Sequence, residues 1–185
     1  MRKLIYAINL SLDGCFNHTI GRPYPDLFDY YIDLVRNAGA FLYGRKTYQL
    51  MVPYWPDVLT DETSTKAEVE YAEAFVAVPQ KLVFSRTLDK AAGNDTEITS
   101  GDLHDEVLKL KQQEGGYILT GGVEIPSQLL QLGLVDELRF NIWPILAGKG
   151  KRLFDSVDLQ ETLQLKLTET KVFESGCVLL TYAKG

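Results

Sequence analysis

Residues that bind metals or form cross-links are scarce in this chain. There are two cysteines, Cys15 and Cys177, and two histidines, His18 and His104, with no C-x-x-C or H-x-x-x-H spacing among them. A zinc site is therefore not expected. Cys177 lies in an apolar strand-like run and reads as core, and no sequence feature supports pairing it with Cys15. Basic charge is also short: 19 Lys and Arg against 25 Asp and Glu give a net charge of −6. That balance argues against a general nucleic-acid binder, though it leaves room for a local basic pocket. No apolar run approaches the roughly 18 residues needed to cross a bilayer, so no membrane partner is expected. The N-terminus, MRKLIYAINLSLDG, has two early positive charges and an apolar run. That run alternates and reaches Asn9 and Asp13 without a small-residue cleavage site, so it reads as a strand and not a signal peptide. The expected compartment is the cytoplasm. The standard nucleotide fingerprints are missing too. GKGKRL (148–153) places Leu153 where a third glycine of G-x-G-x-x-G would stand, and no G-x-x-x-x-G-K-[ST] occurs. A Rossmann domain or a P-loop enzyme is disfavoured. No repeat, low-complexity tract or linker divides the chain, and its 185 residues suffice for one domain over 1–185.

What is present is a regular alternation of elements. KLIYAINL (3–10) is a near-continuous apolar run, as in a strand buried on both faces. A loop rich in Gly, Asn and Pro follows. Leu27, Tyr30, Tyr31, Leu34 and Val35 then share a helical face, with Asp26 placed as N-cap and Gly39 as stop. AFLY (40–43) reads as a strand and GRKTYQLM as a helix start. Residues 66–77 read as helix, KLVFS (81–85) and EITS (97–100) as strands. A helix follows Asp102 as cap, with Gly115 near its end. YILT is a strand, Val123–Leu132 a helix, and VDELRFNIWPIL begins a long strand. LQLKLTETKVF and GCVLLTYA hold two more. Strands alternating with helices, then strands alone, indicate an α/β domain with a mostly parallel sheet and an antiparallel C-terminal hairpin.

In open α/β sheets ligands sit beyond the carboxyl ends of the strands, and three such ends here carry suggestive chemistry. AFLY leads to Gly44-Arg45-Lys46-Thr47, KLVF to Ser85-Arg86-Thr87, and YILT to Gly121-Gly122. Helix starts present unpaired N–H groups and the positive end of the dipole, which favours phosphate. One glycine suffices for a turn. The second, Gly122, means either that the backbone is tightly packed there or that a ligand approaches it closely. The basic and hydroxyl side chains tilt the reading toward NADP over NAD, because arginine grips the extra ribose phosphate bidentately.

As an ordered set, SLDG (11–14), LYGRKTY (42–48), Trp-Pro (55–56), LVFSRTL (82–88), ILTGG (118–122) and VDELRFNIWPILAGKGKRLF (135–154) make the chain resemble the dihydrofolate reductase-like superfamily. Within it, the resemblance is to reductases related to the C-terminal reductase domain of bacterial riboflavin synthesis. It implies a dihydrofolate reductase-like three-layer sandwich around a central eight-stranded sheet, NADPH as cofactor, and frequent pairing into homodimers. Carried over, Gly44, Arg45, Lys46 and Thr47 would hold phosphates, and Ser85 and Arg86 the adenosine ribose and its phosphate. Thr120, Gly121, Gly122, Val123 and Glu124 would line the pyrophosphate, and Ala7 with the SLDG loop would lie against the nicotinamide. A cis peptide between Gly121 and Gly122 is implied as well.

Two carboxylates are catalytic candidates under the same resemblance. Asp26 matches the one that dihydrofolate reductases hold against the pterin, or else it is the N-cap. Asp13 matches an aspartate beside the reacting groups of the riboflavin-pathway enzymes, or else it only forms the turn before Gly14. Arg22, Tyr24 and Trp55 are candidates to line the substrate cavity, or the aromatics are core. Pro144 and Gly148 border the substrate side, or simply turn the chain. The arginine that folate enzymes place before the strand matching KLVFS is absent; VAVPQK stands there, with Pro79 near its position, so folate is a doubtful substrate. The zinc motif of the riboflavin deaminase half is also absent. The resulting expectation is an NADPH-dependent reductase of a small pteridine- or pyrimidine-like heterocycle. The alternative is a non-catalytic NADP(H)-binding sensor or assembly protein on the same fold.

Overall fold

The computed structural model describes residues 1–17, 24–91, 95–155, 157–159 and 161–185. Its centre is β1 (Leu4–Ser11), which pairs in parallel with β5 (Tyr117–Thr120) on one side and β6 (Glu137–Trp143) on the other. Beyond β5 lie β2 (Ala38–Gly44), β3 (Lys81–Phe84) and β4 (Thr96–Thr99), all parallel. Beyond β6 the chain closes with β8 (Val178–Lys184) and, at the edge, β7 (Leu165–Val172), both joined antiparallel. The eight strands run in the order β4-β3-β2-β5-β1-β6-β8-β7. This is the expected architecture.

The alternation of β1 explains the two flanking layers. Leu4, Tyr6 and Leu10 face one core, built with Val107 and Leu110 of α5 (Leu103–Gln112) and Leu129 and Leu130 of α6 (Glu124–Gln131). Ile5 and Ala7 face the other core, with Leu34 and Val35 of α1 (Phe28–Arg36), Tyr48 of α2 (Arg45–Met51) and Phe75 of α4 (Lys66–Val76). The short α3 (Tyr54–Val58) brings Trp55 against the same core. Because β1 is covered on both faces, its sequence reads as a near-continuous apolar run.

Helix boundaries correct two expectations. Asp26 does not cap α1: it sits inside a 3-10 turn (Pro25–Leu27), and Leu27 occupies the cap position without a side-chain hydrogen bond. Gly39 does not stop that helix. Asn37 ends it, and Gly39 lies within β2, where a Cβ would stand 2.8 Å from the Gly116 backbone. By contrast, Asp102 does cap α5, accepting from Asp105 N at 3.1 Å. A capping box between Thr65 and Glu68 starts α4.

The amino-terminal edge of the sheet is held by buried charges. Lys111 Nζ donates to Asp136 Oδ2 at 2.6 Å and to Leu134 O at 3.0 Å. The same Asp136 oxygen accepts from Leu4 N at 2.7 Å. Lys81 pairs with Asp95, and Arg2 Nε donates to Gly116 O at 2.6 Å.

Candidate active site

At the opposite edge, the carboxyl ends of β1, β2, β3, β4, β5 and β6 open on a cleft of about 1790 Å³. Pockets for one drug-sized ligand run to about 1,000 Å³, so this one has room for a dinucleotide and a second molecule. Every residue named for the cofactor lines it: Ala7, Gly44, Arg45, Lys46, Thr47, Ser85, Arg86, Thr120, Gly121, Gly122, Val123 and Glu124.

The glycine pair is shaped by its neighbours. No cis peptide occurs among the described residues, so the bond between Gly121 and Gly122 is trans and that expectation is corrected. The turn is made by Gly122 in the left-handed region, at φ +82. A Cβ there would collide with Thr47 Oγ1 of α2, whereas at Gly121 it would meet only Ala7 O, at 3.4 Å. The Tyr6 hydroxyl fixes the turn by donating to Gly122 O at 2.7 Å, and Thr120 Oγ1 donates to Leu42 O at 2.8 Å. The second glycine is thus required by close packing on α2, which brings the starts of α2 and α6 together. A Cβ on Gly44 would likewise press on Ile125 Cγ1 of α6, at 3.0 Å.

Both helix starts lack a side-chain cap, Gly44 before α2 and Val123 before α6. Their first-turn N–H groups are left for another acceptor. Arg45 Nη1 donates to Thr87 Oγ1 at 2.6 Å, which ties the loop after β2 to the loop after β3. Ser85 Oγ accepts from Thr87 N at 3.2 Å and Leu88 N at 2.9 Å, so its hydroxyl shapes a tight turn and keeps its own hydrogen to donate. Lys46 and Arg86 are exposed, and among the described residues neither makes an ion pair.

Neither candidate carboxylate lines the cleft. Asp13 accepts from Ser11 Oγ at 2.6 Å, Ala147 N at 2.9 Å and Gly148 N at 2.9 Å. The Ser11 hydroxyl, followed by the Ala147 N–H, pulls its pKa down to about 2. It is an anion at neutral pH and clasps the SLDG turn to the loop after β6; Arg152 Nε completes the clasp by donating to Asp13 O at 2.9 Å. Asp26 Oδ2 accepts from Ser175 N at 2.7 Å, in the turn between β7 and β8, while its Oδ1 is buried without a partner. It fastens the C-terminal hairpin.

The substrate-side candidates divide in the same manner. Trp55 lines the cleft, packed on Tyr71 with ring centroids 4.2 Å apart. Tyr24 stands edge-on to Trp143 at 5.8 Å in a separate cluster with Leu27, Phe173 and Leu179, outside the cleft lining. Gly148 turns the chain at φ +71 and Pro144 is exposed beside Gly176. Arg22 lies outside the described residues.

Sequence reasoning missed the polar wall beyond Ala7. Asn9 and Tyr31 line the cleft and are hydrogen-bonded at 2.7 Å. Asn9 falls on the same face of β1 as Ala7, a signal that was available in the alternation. Tyr31 was legible only as a member of an apolar helical face. Lys151, Arg152 and Asp155, which also line the cleft, follow a glycine-rich stretch that carries no periodicity.

Residues 2–179 match the family described as the RibD C-terminal domain. The chain belongs to that family. A relative from Bacillus subtilis strain 168, the uncharacterized protein YyaP, is 32% identical over 187 residues, covering 98% of this chain and 94% of that one. Among solved structures, a pyrimidine reductase-like protein from Corynebacterium diphtheriae superposes with a TM-score of 0.67 at 16% identity, covering 100% of this chain and 92% of that one. Dihydrofolate reductase from Enterococcus faecalis, in complex with NADP(H) and RAB-propyl, gives 0.61 at 13%, covering 99% and 96%. The fold is thus dihydrofolate reductase-like. No helix among the described residues is long and apolar enough to cross a membrane.

Proposed function

We propose that this RibD C-terminal domain protein is an NADPH-dependent reductase of a small planar heterocycle, pteridine- or pyrimidine-like. The observation that carries the reading is the cleft's basic end. The uncapped starts of α2 and α6 meet there, with Lys46 and Arg86 unpaired beside them. Free N–H groups and free cations at one place suit a group with several phosphates. The Enterococcus faecalis relative binds NADP(H) on the same fold.

A bound nicotinamide would supply hydride to the substrate. The chain's own part is to position two rings and exclude water. Thr120, Gly121 and Gly122 would receive the pyrophosphate, and Arg86 with Ser85 the ribose phosphate. Ala7, two residues before Asn9 on one face of β1, would support the reacting ring. Asp13 acts through the loops it clasps, which makes it a positioning residue.

One observation favours the second reading, a non-catalytic NADP(H) sensor: neither Asp13 nor Asp26 lines the cleft. Mixing the protein with NADPH and a panel of pteridines and pyrimidines separates the two. Substrate-dependent loss of NADPH absorbance supports the enzyme. Binding of NADPH with no oxidation by any member of the panel supports the sensor.

A homodimer through β7 is part of the proposal. This edge strand is exposed along its whole length, with Leu167 49% and Val172 69% accessible, an edge that unpaired proteins normally blunt. Sedimentation at micromolar concentration distinguishes a dimer from a monomer.

A further inference from the structure

The floor of the cleft beyond Ala7 carries a small polar network set in an apolar wall. Asn9 and Asn141 are register partners on the adjacent parallel strands β1 and β6. The Tyr31 hydroxyl from α1 spans them, donating to Asn9 Oδ1 at 2.7 Å and accepting from Asn141 Nδ2 at 2.7 Å. Asn141 is 2% exposed and lies behind the lining, while Asn9 and Tyr31 are in it. Burial raises the Tyr31 phenol well above its ordinary value, outweighing Asn141 and Trp143, which pull it down. Tyr31 therefore keeps its proton and stays a donor toward Asn9.

In this arrangement the nitrogen end of the Asn9 amide is left over. Its oxygen is occupied, and its Nδ2 has no partner among the described residues. An amide nitrogen offers two hydrogens. The cleft lining includes the uncharged Phe28 and Val35 of α1, the helix that carries Tyr31, together with Trp55 and Tyr71. Trp143, 8% exposed and the register partner of Ser11, also lines the cleft, and its Nε1 makes no aligned hydrogen bond. Here the oxygen end is held by Tyr31, which buried Asn141 holds in turn, and Asn9 itself lies on the cleft wall.

We propose that Asn9, oriented by Tyr31 and Asn141, reads the substrate ring: its Nδ2 donates to a carbonyl oxygen of a neutral, planar oxo-heterocycle, and so selects oxo rings over their amino analogues. The proposal rests on the reductase reading of this cleft. A neutral donor in an uncharged aromatic wall matches an uncharged acceptor. A ring bearing an amino group at that point would set donor against donor, the kind of mismatch that gives hydrogen-bonding sites their large discrimination.

The test uses the protein loaded with NADPH and two probes. One is lumazine, a pteridine dione; the other is the diaminopteridine with amino groups in place of both carbonyls. The wild type is expected to bind lumazine at least about ten-fold more tightly. In Asn9→Asp the carboxylate still accepts from Tyr31 but offers an acceptor to the ring, so the preference reverses while NADPH affinity is kept. Tyr31→Phe frees the amide to turn without adding charge. Its preference is expected to fall to within about three-fold, which keeps the test intact should the aspartate variant not fold. Equal binding of both pteridines by the wild type, absent binding of lumazine, or an unchanged preference in both variants overturns the proposal. A wild type that fails to bind NADPH, measured before any pteridine is added, overturns the reductase reading itself.

Discussion

At the amino-terminal edge of the sheet, Lys111 is 6% exposed and bonded to Asp136 and Leu134 O, and Lys81, 3% exposed, is paired with Asp95. At the carboxyl-terminal edge, Lys46 and Arg86 are exposed and, among the described residues, without a carboxylate. The two edges use the same residue types in opposite ways. Burying a charge is costly unless it is paired, so Lys111 and Lys81 each bring a carboxylate and serve the fold, while buried Arg2 is met by the Gly116 carbonyl. Exposed cations over two uncapped helix starts cost little when unpaired and remain available to a ligand. Asp13 and Asp26 follow the first pattern although they lie near the second edge, for both are engaged by backbone N–H groups.

The division between a structural and a ligand-facing edge can be broken by substitution. The largest effect is expected for Asp136→Ala, which strands the Lys111 ammonium and releases Leu4 N. It should cost about 3 kcal/mol of stability in a denaturant melt while NADPH affinity stays within about two-fold. A parallel loss of NADPH affinity would mean that the edges are not separable. Gly122→Ala comes next, because it places a Cβ on Thr47 Oγ1 and forces a side chain into the left-handed region. It should cost about 1–2 kcal/mol of stability and at least about ten-fold in NADPH affinity. Unchanged binding would remove the glycine turn from the cofactor site. Arg45→Ala should weaken NADPH by about 1–3 kcal/mol with little change in melting.

The smallest effect belongs to Asp13→Asn. Asp13's folded pKa of about 2 lies below its ordinary value of 3.8, so its contribution is fully present above 3.8 and is lost as pH falls through 2. Wild type and variant should therefore differ slightly at neutral pH and converge in melting temperature toward pH 2. A gap that widened on acidification would contradict the clasp.

Much of this was legible in the sequence for identifiable reasons. Apolar alternation and helical spacing located the strands and most helices. Glycines and basic residues after β2, β3 and β5 marked the expected ligand side, and all of them line the cleft. The failures share a cause. Asp26 looks like a cap because it precedes an amphipathic run, but its partner Ser175 is 149 residues away, a contact that only the tertiary fold creates. Gly39 looks like a helix stop, yet it is glycine because the Gly116 backbone crosses it. Gly122 is glycine for Thr47, a neighbour on another helix. Tyr31, Asn9 and Asn141 come from three elements, and local patterns cannot bring them together.

On the proposed reading, the free cations at the carboxyl edge serve the phosphates of NADPH. The most direct measurement is a titration of the wild type and Arg86→Ala with NADPH and with NADH, followed by quenching of tryptophan fluorescence. The wild type is expected to bind NADPH more tightly than NADH, and Arg86→Ala to lose most of that preference with little change for NADH. Binding of neither nucleotide, or equal binding of both by the wild type, would contradict it.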